Sequence, residues 1–273
     1  MSAGQSPSGR VAGVDLATAM AAGAFVYAVS LVLHQGGHAL VGGLMGGHAE
    51  RVAADVVLGD WNRLDERGHM LMQLAGPLTQ SLVALVGWLA FRTQVGRPGL
   101  VSLVTWLFFS VNAWIATLEL IASPSIGFGD WMAVLQDMKN AGLLRVSATG
   151  TGLFVAGLLL KGTLETLAQL IGNGLAPVRV ARARRVVVAT WTAGCATAMV
   201  GALYSPHGAA TGLLIAAGSV VAGTSVPLFL MGRIADHPVG GTPLAVPRST
   251  LMLGLGAVSV IAMVLVFGPG LVL

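Results

Sequence analysis

In a bilayer, a run of about twenty apolar residues has one stable form. It becomes a helix, because only then are all its backbone polar groups satisfied within the segment. This chain carries about seven such runs, near Val14–Leu44, Met70–Phe91, Leu100–Ala122, Gly152–Ile171, Val186–Tyr204, Ala209–Met231 and Leu251–Phe267. Charged residues are 10% and hydrophobic residues 55% of its 273 positions. Soluble domains carry about 25% charged residues, so this surface could not be covered by polar groups in water. The sequence predicts an all-α polytopic membrane protein, multi-pass in a bacterial plasma membrane. Its 38 glycines fit, because small residues let spans approach closely. The first run is too long for a secretory signal, and no small-residue cleavage pattern follows it.

The net charge of +4 does not point to nucleic acid, because the basic residues are sparse and sit mostly between apolar runs. The expected partner at this point is the lipid bilayer. Alternating the loops across seven spans collects Arg10, Arg92, Arg97, Arg179, Arg182, Arg184, Arg185, Arg233 and Arg248 on one side. The other side holds Arg51, Arg63, Arg67, Lys139 and Arg145, diluted by most of the acids. The positive-inside rule then places the N-terminus in the cytoplasm. A single cysteine, Cys195, excludes an intramolecular disulfide and a cysteine-based zinc site, and reads as an inert packing residue.

Between the spans, His48–Gly68 is polar, and its middle, Val52–Leu58, suits a short strand or hairpin. Pro124–Arg145 opens as a Pro/Gly-rich turn and continues as a short helix. Asn173–Arg185 reads as a loop with the densest positive cluster. Unusual polar residues concentrate in the first half. The chain therefore divides into a tail (1–13), a metal-binding transmembrane core of three spans (14–146) and an accessory bundle of about four (147–273).

An ionisable group inside a bilayer is costly and needs a partner or a task. His34-Gln35-Gly36-Gly37-His38 puts two imidazoles at i and i+4, on one helix face about 6 Å apart, where both can bind one metal ion. In the zinc-protease pattern His-Glu-x-x-His the glutamate is the general base that activates water. Here Gln35 holds that position, matching glutamate in shape but unable to take a proton. A zinc site needs a third protein ligand, and Asp130 in Ser123-Pro-Ser-Ile-Gly-Phe-Gly-Asp-Trp131 is the leading candidate. Its plain alternative is an N-cap for a helix over Met132–Leu144.

Glu119, inside the third span, reads as a ligand, a substitute base or a partner of Lys161. Lys161 and Glu165, at i and i+4 on the fourth span, read as a mutual pair. Asn112, Gln73 and Gln80 are buried amides that serve either a site or helix packing. His48, His69, His207 and His237 lie in loops or at span ends, where solvation is the default; His69 stays open, since its loop leads back to the histidine helix.

Together these residues resemble the site-2 proteases, the M50-type intramembrane metalloproteases. His34-Gln-Gly-Gly-His-Ala-Leu followed by glycines is similar to the first core helix of that family. Leu74-Ala-Gly-Pro77 is similar to the Gly-Pro motif of the second, and Asn112 with Pro124–Asp130 occupies the place of the Asn/Pro…Leu-Asp-Gly motif. The matches come in order over about Phe25 to Trp131. The resemblance implies zinc held by His34, His38 and Asp130, transmembrane substrates cleaved at peptide bonds, and Asn112 in contact with substrate or oxyanion. Two positions depart from the pattern: Gln35 for the catalytic glutamate, and Gly-Asp-Trp for Leu-Asp-Gly.

Gln35 fits two accounts. One is a near-isosteric Glu-to-Gln replacement that keeps metal and stops turnover. The other is a natural pseudoprotease, or a divergent enzyme in which Glu119 supplies the base. The rival function is non-catalytic, with the histidine pair serving ion transport or metal sensing. A heme-binding bundle fits less well, since neighbouring histidines on one helix suit one small ion better than two faces of a porphyrin.

Overall fold

The computed structural model describes residues 13–136, 138–237 and 239–273. The expected N-terminal tail, with Arg10, lies outside them apart from Gly13. Among the described residues, seven helices are long and apolar enough to cross a membrane. They are α1 (Leu16–Leu44), α2 (Glu66–Thr93), α3 (Leu100–Ile126), α5 (Ala141–Ile171), α6 (Ala176–Ala202), α7 (Ala209–Leu230) and α8 (Thr250–Phe267). A short α4 (Asp130–Leu135) lies between α3 and α5. α7 is π-helical over Ala216–Val221, and α8 over Met263–Phe267.

Polar caps set several starts. The side chains of Asp15, Asp65 and Ser249 accept the backbone N–H of Thr18, Gly68 and Met252 respectively. Helical hydrogen bonding, capped or not, also runs through polar residues and outlasts the apolar stretch. α2 thus begins at Glu66, α5 at Ala141 and α6 at Ala176, all earlier than hydropathy predicts. One expectation is corrected by this. Arg179, Arg182, Arg184 and Arg185 lie on the first turns of α6, not in a loop. Arg179 and Arg182 are buried and donate to the carbonyls of Gly172, His237, Ile171 and Asn173. Two of these carbonyls, Ile171 and Gly172, close the end of α5, where helical acceptors lack partners.

The polar loop after α1 does form a hairpin, β1 (His48–Val52) antiparallel to β2 (Val57–Asp60). A third strand, β3 (Leu271–Val272), pairs with the other edge of β1, giving the order β2-β1-β3. The sequence held no sign of β3, since two residues carry no periodicity.

α1 lies at the centre, packed along α2 and α3 on one side and along α6 and α8 on the other. Small residues make the contacts close. Gly23 backs onto the Thr190 backbone, Gly194 onto the Tyr27 ring and Gly256 onto Ala21. The buried core joins the two sides through Val26, Leu103, Trp106, Ile115, Leu167 and Val186. Trp106 Nε1 donates to Thr166 Oγ1 at 3.2 Å, and Trp114 Nε1 to Thr163 Oγ1 at 3.0 Å, which fixes the level of α5 beside α3.

Candidate metal centre

α1 stays helical through Gly36 and Gly37, so His34 and His38 stand one turn apart on the face toward α2. Both are buried, their rings edge to face with centroids 4.8 Å apart. The two Nε2 atoms are 3.1 Å apart, and Asp130 Oδ2 lies 3.2 Å from each. Zinc–nitrogen bonds of about 2.0–2.1 Å at tetrahedral angles put donor atoms about 3.3 Å apart. The His34, His38 and Asp130 donors thus already form nearly one face of such a tetrahedron. The group can hold a metal ion, and three protein ligands leave one position open.

Two glycines bring Asp130 back to the histidines. Gly127 ends α3 in the left-handed region (φ 78°), with its N–H on the Ser123 carbonyl. Gly129 then turns the chain at φ 101°, and its own Cβ would sit 3.0 Å from Ser123 Oγ. Ser123 Oγ accepts the Met132 N–H at 2.8 Å and so caps α4. The capping role considered for Asp130 therefore belongs to Ser123, and the helix it starts ends at Leu135 rather than Leu144. That frees the Asp130 carboxylate for the imidazoles.

α2 orients the ligands. His38 Nδ1 donates to the Met72 carbonyl at 2.7 Å, which leaves the Nε2 lone pair for an ion. Gly76 of Leu74-Ala-Gly-Pro77 faces both rings. A Cβ there would run into His38 Nε2 and lie 2.7 Å from His34 Cε1. Gly37 allows the approach from the α1 side, where a Cβ would be 2.8 Å from the Ala75 carbonyl oxygen. His34 Nδ1 is buried and unpaired, and beside that ring is Gln80, 1% exposed, with Oε1 also unpaired.

The centre opens on a cavity of about 500 Å³. His34, Gln35, Glu119 and Asp130 line it, with Asp55 of the hairpin and Ser219 of the π-helical stretch of α7 across from them. Gln35 and Glu119 thus both stand in the wall of the space beside His34 and Asp130, and Glu119 Oε2 is buried and unpaired. Asp55 Oδ2 accepts the Ser205 hydroxyl at 2.6 Å, tying the hairpin to the segment after α6. Sequence reasoning missed Met72, Ser123 and the Asp55–Ser205 bond. Backbone acceptors and tertiary contacts of this kind leave no pattern in a sequence.

The remaining candidates lie elsewhere. Asn112 is fully buried but does not line the cavity; its amide donates to Ser30 Oγ at 2.8 Å and to the Phe108 carbonyl at 2.9 Å, joining α3 to α1. Lys161 and Glu165 pair on α5 at 3.9 Å. His48, His69 and His207 are exposed, and Cys195 is a buried free thiol. Compared with protein-family profiles, curated proteins and solved structures, the chain has no match in any of the three.

Proposed function

We propose that this chain is a site-2-protease-like intramembrane metallopeptidase of a bacterial plasma membrane, with zinc as its ion. In this reading it binds metal but cleaves little or nothing as written. The observation that carries it is the donor triangle of His34, His38 and Asp130, with residue 35 in the wall of the adjoining cavity. Two imidazoles and a carboxylate with a fourth position open are a donor set that catalytic zinc takes.

Zinc, when bound, supplies a Lewis acid that polarises a carbonyl and makes water nucleophilic near neutral pH. The chain's own residues supply the rest. His34 and His38 present their Nε2 atoms, and the Met72 carbonyl keeps His38 in that orientation. A group at position 35 meets whatever occupies the cavity. A carboxylate there would take a proton from the attacking water and return it to the leaving amine. The Gln35 amide can orient water but accepts no proton. Glu119 is the other side chain from the core spans with a carboxylate in the cavity, and in this reading it gives any residual turnover.

The test compares the chain as written with Gln35→Glu on a panel of single-span membrane proteins, with metal content measured in both. Cleavage should rise by about 10²-fold or more, the usual worth of a general base, at unchanged metal content. Equal, efficient cleavage by both forms would assign the base to Glu119. Cleavage by neither would overturn the protease reading in favour of transport or sensing.

A further inference from the structure

α5 carries an ion pair where a bilayer gives it least support. Trp114, next to the midpoint of the 27-residue α3, bonds Thr163 of α5, while Ser125 near the end of α3 bonds Thr149. Lys161 is two residues from Thr163, so it lies within about one turn of mid-membrane if α3 is centred there. The hydrocarbon layer extends roughly 15 Å to either side of that level. A lysine stem reaches about one helical turn, which is too short to bring the ammonium to water. Yet the Lys161 side chain is 81% exposed and that of Glu165 49%, so no described part of the chain covers them.

The same face has a second property. Leu143, Ser147, Gly150, Phe154, Gly157, Lys161 and Glu165 recur at three- and four-residue spacing, so they form one stripe along α5. Every one of them is exposed, and Gly150 and Gly157 have nothing within 4 Å of a built Cβ. Elsewhere in this molecule the glycines of the membrane helices largely serve close contacts, as at Gly23, Gly194 and Gly256. The stripe therefore combines a helix-packing surface with an ion pair that no other described part of the chain covers.

We propose that this stripe of α5 is a homodimer interface, occupied by α5 of a second copy of the chain. The inference rests on reading the seven helices as membrane spans and is independent of the metal centre. Two copies inserted in the same direction bring their α5 helices together in parallel around a two-fold axis along the membrane normal. Identical residues then share one depth, and Lys161 of each copy lies four residues, about 6 Å along the axis, from Glu165 of the other. Long side chains span that offset. The symmetry makes both cross-pairs at once, giving a closed cluster of two ammonium and two carboxylate groups with no net charge. Gly150 and Gly157 let the backbones approach closely enough for these contacts. A second copy meets Lys161 and Glu165 each with an opposite charge, adding cross-pairs to the pairing within each helix, which a lone charge on an unrelated helix could not do.

The experiment uses the full chain in phosphatidylcholine vesicles at high lipid dilution. Energy transfer between donor- and acceptor-labelled copies should reveal dimers, and Phe154→Cys should cross-link on mild oxidation. Leu85→Cys, at a comparably exposed site on α2, should not. Lys161→Leu/Glu165→Leu should lower dimer formation at least tenfold, while the exchange Lys161→Glu/Glu165→Lys should retain it. Helical content and the thermal unfolding midpoint should equal the parent's throughout, which tells a monomeric variant from a misfolded one. A monomeric parent chain would overturn the proposal. So would unaltered dimerisation without the two charges, or cross-linking at Leu85→Cys alone.

Discussion

α1 and α5 are the two longest helices of the chain, 29 and 31 residues, and their compositions are alike. Both are rich in glycine and both carry two ionisable side chains four residues apart. Their surroundings are opposite. α1 is enclosed by α2, α3, α6 and α8, its ionisable pair is buried, and a Cβ on Gly23 or Gly37 would collide with a neighbour. Only 6% of the apolar window of α5 is buried, its pair points outward, and Gly150, Gly157 and Gly162 border open space. Polar residues in an apolar helix therefore do not announce their role. The buried pair faces Asp130 from another segment, whereas the members of the exposed pair meet only each other among the described residues.

The sharpest way to break this contrast is to empty both pairs. His34→Ala/His38→Ala should take bound metal from about one ion per chain to none, whereas Lys161→Leu/Glu165→Leu should leave it unchanged, as read by elemental analysis of purified protein. Metal retained by the first variant would remove the distinction between the helices.

Next in size is the partner of the buried pair. Asp130→Ala should weaken zinc binding about 10³-fold, near 4 kcal/mol, in competition with a chelator of known affinity. Asp65→Ala removes a helix cap instead. It should cost about 1 kcal/mol of stability and leave metal affinity alone.

The glycines give a finer comparison. Gly76→Ala would force a methyl group against both histidine rings, and overpacking of 1–3 kcal/mol predicts a loss of up to about 10²-fold in metal affinity. Gly162→Ala, on α5 with nothing near, should bind metal as the parent does and unfold no more easily. Smallest is the effect of Gln80→Leu. Losing an orienting neighbour of His34 should lower affinity by roughly 10- to 100-fold, toward the lower end because His38 keeps its Met72 bond.

The sequence made the helices and the ligands legible for different reasons. Seven spans follow from run length alone, although their polar ends did not, because Glu66 or Arg179 continues a helix as well as leucine does. His34 and His38 were readable because i,i+4 is a local relation. Asp130 was readable only by its place after a glycine-rich turn, and the structure supplies the reason in Ser123, which caps α4 and releases the carboxylate. Asn112 shows the limit. A buried amide was evident, but whether it faced the site or a neighbouring helix depended on Ser30, on a different span. Arg179 and Arg182 read as loop residues for the same reason, since only the fold shows their guanidinium groups bonded to carbonyls near the end of α5.

The pairing of Arg51 with Val272 has a consequence for biosynthesis. Ribosomal synthesis delivers the hairpin soon after α1, but β3 emerges only after α8. Until then β1 and β2 form a two-stranded ribbon, which is marginal by itself. The Asp55–Ser205 bond likewise waits for the end of α6. All three metal ligands are made in the first half of translation, while the wall of their cavity formed by Ala54 and Asp55 gains its supports late. His34, His38 and Asp130 can therefore come together well before the cavity beside them has its full wall, so the order of synthesis separates assembling the triad from closing its chamber.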